Sequence, residues 1–161
     1  MTGPVSMIAM TSATPPAGFL HLVVGYDGSP PASRALDAAV NLLQGRAGHI
    51  EVVYVAHLSS MVSLSPGAVA EMEADFDDIA KELRTSAAER LGARVPAWDF
   101  QRRQGLIAEE LIAAATDVHE ADASKTVVIV VGSSSHAAHR MVGSAAVSLA
   151  RHAPVPLVIV P

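Results

Sequence analysis

Four short apolar runs and one more polar one alternate along the chain with longer stretches in which apolar residues return every three or four positions. Runs of this length, bounded by turn residues, predict strands buried on both faces of a sheet. Residues 19–26 form the first, apolar nearly throughout apart from His21. Residues 49–56 form the second, with the β-branched bulk of Val52, Val53 and Val55 favouring a strand. Residues 94–101 are polar and interrupted by Pro96, which predicts a strand at a sheet edge. The clearest run is Val127-Val128-Ile129-Val130-Val131, stopping at Gly132, and residues 156–160 form the last.

The intervening stretches carry helix signals. Ser29-Pro30 opens the first, the serine capping free N–H groups and the proline standing where no donor is needed. Leu36, Ala39, Val40 and Leu43 mark its buried face, and Gly45 stops it. Ser65-Pro66 opens the second by the same device. Its apolar face runs Val69, Met72, Phe76, Ile79, Leu83, Ala87, Leu91 and ends at Gly92. The third follows Gly105 through Leu106, Ile107, Leu111, Ala114, Ala115 and Val118, and the fourth covers residues 144–152. Strands and helices in strict alternation imply an α/β fold with a parallel sheet and right-handed crossovers. Ligands of such sheets sit at the carboxyl ends of the strands where the strand order reverses. Asp27, the end of the second strand and the loop after Gly132 are thereby expected at one edge. Gly143-Ser144, at the start of the fourth helix, would present free N–H groups to an anion there.

Composition narrows the picture. At 161 residues the chain predicts one domain, residues 19–161, behind a flexible leader of residues 1–18 rich in Ser, Thr, Pro, Gly and Met. The leader holds no Lys or Arg and so lacks the basic start of a signal peptide. There is no cysteine, which excludes disulfides, thiolate metal sites and cysteine nucleophiles and fits a cytoplasmic protein. A net charge of −5 without a Lys/Arg cluster argues against nucleic acid and anionic membranes as partners, and no apolar run reaches membrane-spanning length. The acidic residues Glu71, Glu73, Asp75, Asp77 and Asp78 read as a solvated helix face, since no loop of cation-ligand spacing accompanies them. His136 and His139 lack a third ligand nearby, so no metal site is assigned. Ser133 to Ser135 form no Gly-x-Ser-x-Gly elbow, and no catalytic residue is assigned.

In their order, Val23-Val24-Gly25-Tyr26-Asp27-Gly28-Ser29, Gly105, Val130-Val131-Gly132-Ser133, Gly143-Ser144 and the closing His152-Ala153-Pro154-Val155-Pro156-Leu157-Val158-Ile159-Val160 resemble the universal stress protein family over residues 20–161. The resemblance implies a five-stranded parallel sheet in the order 3-2-1-4-5 with helices on both faces, a Rossmann-like adenine-nucleotide-binding fold, usually dimeric. Some members bind ATP and others do not. The nucleotide-binding candidates are Asp27, Val53, Gly132, Ser133, Arg140, Gly143 and Ser144; the resemblance puts Asp27 near the adenosine or the phosphates and any magnesium, while Val53 and Val55 are core valines that could touch the adenine face and Arg140 is either a phosphate clamp or a solvated loop residue. The binding members carry a second glycine where this chain has Ser135. Only ten residues separate Gly132 from Gly143 here, against twelve in the full pattern. Two residues are about 7 Å of contour, a reach comparable to a pair of phosphates.

The last strand is apolar on both faces through Leu157, Val158, Ile159 and Val160. In the implied order it lies at an edge, and exposed apolar edges associate, so a homodimer through this strand is expected. Two functions follow from the resemblance. One is a small regulator that binds ATP, with Mg2+, or another adenine nucleotide and changes its affinity for an unknown partner protein. The other is a dimeric interaction module of the same family that binds no nucleotide.

Overall fold

The computed structural model describes residues 18–57, 66–95, 97–133 and 143–161. The leader assigned to residues 1–18 lies outside these except for Gly18, as do Ser65, Pro96, Ser135, His136, His139 and Arg140. The elements are β1 (Leu20–Gly25), α1 (Pro30–Leu43), β2 (Gly48–Ala56), α2 (Pro66–Leu91), a short 3-10 turn (Gly92–Arg94), β3 (Trp98–Gln104), α3 (Ile107–Ala121), β4 (Thr126–Gly132), α4 (Ser144–His152) and β5 (Leu157–Val160). The five strands form one parallel sheet in the order β3-β2-β1-β4-β5, as the resemblance implied.

Side-chain alternation divides the sheet into two cores. Leu20, Leu22 and Val24 of β1 point to one face, where they pack with Ile50, Val52, Val130 and the buried sides of α1 and α2. Val23, Val53, Ile129 and Val131 point to the other, against α3 and α4. The central strands are apolar on both sides because helices cover both. Arg34 of α1 donates from Nε to the Pro161 carbonyl at 2.7 Å and ties the end of β5 to that helix.

Where the elements differ from expectation, polar side chains explain it. β3 starts at Trp98 rather than residue 94 and continues to Gln104, through Arg102 and Arg103. The two arginines point to opposite faces and each is held by a helix. The Arg102 guanidinium donates to Glu73 at 2.6 Å and Asp77 at 2.9 Å of α2 and lies 5.7 Å from the Phe76 ring centroid. Arg103 donates to Asp117 of α3 at 2.6 Å, with Glu110 at 3.8 Å. A polar edge strand is thus fastened by charge where a central one is fastened by burial. Two members of the supposedly solvated acidic face, Glu73 and Asp77, are therefore structural. The hydrogen bond from Arg102 holds the Glu73 carboxyl below its ordinary range.

One buried polar pair sits on the sheet face of the second core. His21 and Glu51, 7% and 3% exposed, meet at 3.0 Å from Nε2 to Oε2 on adjacent strands. His21 lies 5.0 Å, ring to ring, from His49, which pairs with Asp99 at the surface. Among the described residues Nδ1 of His21 has no partner. Removing one member of the pair strands the other, which costs about 1–3 kcal/mol, whereas replacing both by apolar groups is close to neutral. His21→Val and Glu51→Val should each lower stability by that amount in urea titrations, and the double variant should be more stable than either. Additive losses in the double variant would show that the two groups do not depend on each other.

The Arg102 clasp has a readout of its own. Arg102→Met should raise amide hydrogen exchange in residues 67–79 by about tenfold or more while β1 and β4 stay protected. Because the Glu73 carboxyl is held low, the clasp is complete above the ordinary glutamate pKa and is lost as pH falls through the lowered value. Protection of this segment, corrected for intrinsic rates, should therefore decline in acid before that of the sheet.

Candidate functional site

Beyond the carboxyl ends of β1 and β4 the chain turns in opposite directions, to α1 on one face and toward α4 on the other. Between α1 and the start of α4 lies a cleft of about 330 Å3, within the range of small-molecule sites. Its floor is Gly25, Val131 and Gly132, and its walls are Tyr26, Asp27 and Ser29, Val55, Ile107 and Leu111, and residues 143–146.

Two glycines give the floor its shape. A Cβ on Gly132 would strike the backbone of Pro31, so β4 and the first turn of α1 touch main chain to main chain. A Cβ on Gly25 would come within 3.1 Å of Leu111 Cδ1 and 3.3 Å of Val131 Cγ1. Gly28 has φ +77°, in the left-handed region where side chains are strained, and its open side is filled by Leu83 of α2. The turn between β1 and α1 is held by its own polar groups. The Ser29 amide donates to Asp27 Oδ1 at 3.0 Å, and the Ser29 hydroxyl accepts from the Ala32 amide at 3.3 Å. Asp27 thus does the turn-forming work that Asp-Gly sequences often do while lining the cleft. Its charge reaches Tyr54, whose phenol is held above its ordinary value mainly by burial, with Arg102 opposing and Asp27 reinforcing the shift. Tyr26 is almost fully buried and its hydroxyl pairs with that of Ser86 of α2 at 3.0 Å.

Three helices begin at the cleft, and their N-termini are not equivalent. Each could offer about half a positive charge and unpaired N–H groups to an anion. In α1, Pro30 and Pro31 have no N–H and Ser29 caps the amide of Ala32, so its donors are deleted or used. In α3, Glu109 and Glu110 occupy the first turn and oppose a second negative charge. In α4 the N-cap is Gly143, which has no capping side chain, and the first turn holds no acidic residue. The amides of Ser144, Ala145 and Ala146 precede the first intrahelical donor, Val147, and all three residues line the cleft. Of the three, α4 alone leaves its first amides both uncapped and without a neighbouring carboxylate in its first turn.

Of the site residues named from sequence, the structure brings Asp27, Gly132, Ser133, Gly143 and Ser144 to this one cleft. Arg140 falls outside the described residues. Val53 is not at the cleft: it is 1% exposed in the core beneath, and Val55, two positions along on the same side of β2, takes the lining position. Sequence reasoning did not name Tyr26, Ile107 and Leu111 as lining residues. Tyr26 was findable as the last apolar residue of the first run, whereas the other two depend on how α3 lies across the sheet. Among the described residues no group of three or more His, Asp or Glu side chains is arranged to hold a metal ion. No helix among them is long and apolar enough to cross a membrane.

Comparison with known proteins places this arrangement. A search of curated proteins by sequence gives no match. Among solved structures, universal stress protein UspA from Lactobacillus plantarum superposes with a TM-score of 0.73 at 20% identity, over 90% of this chain and 99% of that one. A universal stress protein in complex with cAMP gives a TM-score of 0.62 at 23% identity, over 89% and 98%. A universal stress protein family member from Arabidopsis thaliana with AMP bound gives 0.60 at 12%, over 88% and 90%. These likenesses are of fold. The sequence model of the universal stress protein family matches residues 18–161, which takes in every strand and helix described above, and the chain belongs to that family.

Proposed function

We propose that the cleft between the ends of β1 and β4 binds an adenine nucleotide, and that the protein is a small cytoplasmic regulator whose contacts with a partner protein depend on that occupancy. The observation that carries this reading is the uncapped N-terminus of α4 inside the cleft. Structural relatives captured with cAMP and with AMP support it. In this reading the phosphate lies against Gly132, Ser133, Gly143 and Ser144, and Arg140 clamps it from the adjoining loop. The adenosine lies toward Val55 and Ile107, with Val53 forming the layer behind. Asp27 takes the ribose, or one position on magnesium when the ligand is ATP; a single carboxylate beside phosphates is a normal share of such a site. In this reading the role is binding rather than turnover.

The competing reading, an interaction module without nucleotide, is favoured by Ser135 and by the ten-residue spacing between Gly132 and Gly143. Denaturing the purified protein and identifying what it releases by absorbance and mass separates the two. AMP, cAMP, ADP or ATP near one per chain is expected. An empty protein that also shows no heat of binding with these nucleotides and magnesium would retire the first reading in favour of the second.

The role of the α4 amides has a direct test. Proline is tolerated at the first position of a helix, and Gly143 already has the extended backbone that a following proline needs, with φ −61° and ψ 158°. Ser144→Pro therefore deletes one donor and leaves the helix standing. A hydrogen bond to a charged group is worth about 1.5–3 kcal/mol, so affinity should fall by roughly tenfold or more, with Ser144→Ala as the control for the lost hydroxyl.

We further propose a homodimer through β5. This strand lies at the sheet edge with Leu157, Val158, Ile159 and Val160 only half buried, and pairing two such edges across a twofold axis would bury several of them. Size-exclusion chromatography with light scattering should report twice the 16.7 kDa chain mass; a single 16.7 kDa species would remove the claim.

A further inference from the structure

We infer that the N-terminal half of α2 is a docking surface for a basic amphipathic helix of a partner protein. At 26 residues, about 39 Å, α2 outruns the strands it packs on, the longest of which has nine residues, about 30 Å. Its C-terminal half is anchored in the first core by Ala87 and Leu91. From Gly67 to Ile79 no residue is buried, yet apolar side chains recur at 69, 72, 76 and 79, the three- and four-residue steps by which helices recognise one another. Val69 and Ile79, each 41% exposed, are among the largest apolar groups on the surface.

This half is nonetheless held in place. The Arg102 ion pairs to Glu73 and Asp77, and the stacking of Arg102 near Phe76, fasten to the edge strand a segment that buries no residue of its own. A helical stretch of this length is marginal without such support. The clasp therefore keeps an apolar stripe presented on the surface.

Charge selects the occupant. Residues 66–78 contain five carboxylates and no Lys or Arg. Arg102 takes Glu73 and Asp77, Lys81 takes Asp78 at 2.9 Å, and Glu71 and Asp75 remain exposed beside the stripe. A second copy of this chain meeting the stripe across a twofold axis would set these carboxylates against their own images, and an anionic membrane would be repelled by them. A helix with Lys or Arg beside its apolar face complements both features.

The surface lies apart from the nucleotide cleft, so the inference stands whether or not a nucleotide binds. The test uses the full chain and two synthetic amphipathic helical peptides of one pattern, one built of Leu and Lys and the other of Leu and Glu, followed by fluorescence anisotropy at physiological salt. The Leu/Lys peptide should bind in the micromolar range and the Leu/Glu peptide should not. Val69→Ser with Ile79→Ser should weaken the Leu/Lys peptide by about tenfold or more with the circular dichroism spectrum unchanged, and Glu71→Lys with Asp75→Lys should transfer the preference to the Leu/Glu peptide. Equal binding by the Val69/Ile79 variant would reduce the effect to general charge attraction and overturn the proposal. So would absence of binding, or sedimentation showing that the same substitutions dissolve a dimer, or vesicles of phosphatidylserine binding wild type and not the variant.

Discussion

The reversal of strand order between β1 and β4 is the constraint on which the rest of the structure depends. A right-handed crossover from β1 must carry α1 to one face of the sheet, and β4 is reached by a chain returning over the other. The two loops therefore part, and a parallel sheet cannot avoid a gap at this place. What this chain controls is how the gap is lined. Gly132 lets β4 and the turn of Pro31 meet backbone to backbone, so the floor carries no side chain between the two sides. Gly25 makes room for the side chains of Leu111 from the α3 face and of Val131. Glycine stands at the last residue of both strands, so main chain is exposed in the floor at Gly25 and Gly132.

Electrostatics then gives the cleft a direction. Three helix starts converge on it, and if all were open an anion could settle at any of them. Pro30 and Pro31 remove the donors of α1, and Glu109 and Glu110 balance the field of α3. Asp27, fixed by the amide of Ser29, adds a carboxylate on the α1 side. The α1 side is thereby left without free donors, whereas Gly143 leaves the first amides of α4 uncapped on the other side. The same Ser-Pro-Pro sequence that secures α1 so firmly makes it a poor anion site.

How much of this could be read in the sequence follows from how local each feature is. Caps, prolines and stop glycines act within one turn, so α1 and α4 lie where Ser29-Pro30, Gly45, Gly143-Ser144 and Pro154 put them. The four apolar runs fix β1, β2, β4 and β5 for the same reason. β3 was harder because its determinants are distant: Arg102 and Arg103 look like loop residues until Glu73, Asp77 and Asp117 are placed beside them by the fold. His21 and Glu51 are separated by 30 residues and read as blemishes in apolar strands, although they are partners. Val53 and Val55 show a third limit. They share a face of β2, and what separates a core residue from a cleft residue is about 7 Å of depth along one strand, which depends on where the neighbouring strands end.

The loop after β1 connects the cleft with α2. Asp27 and Ser29 face the cleft, while Gly28 between them receives Leu83 of α2, at a position where a Cβ would come within 2.7 Å of the leucine. Tyr26, the residue before, lines the cleft and pairs its hydroxyl with Ser86 on the same helix. These two contacts lie on the C-terminal side of the overhanging segment, and the Arg102 clasp lies within it. α2 is therefore gripped at one end by the wall of the cleft and at the other by the edge of the sheet. Close-packed contacts of this kind transmit displacement because they have no slack. Leu83 and Ser86 thus set the β1–α1 turn against the helix that carries the exposed apolar stripe. Cleft and stripe are separate surfaces, but they are built on opposite ends of one rigid element.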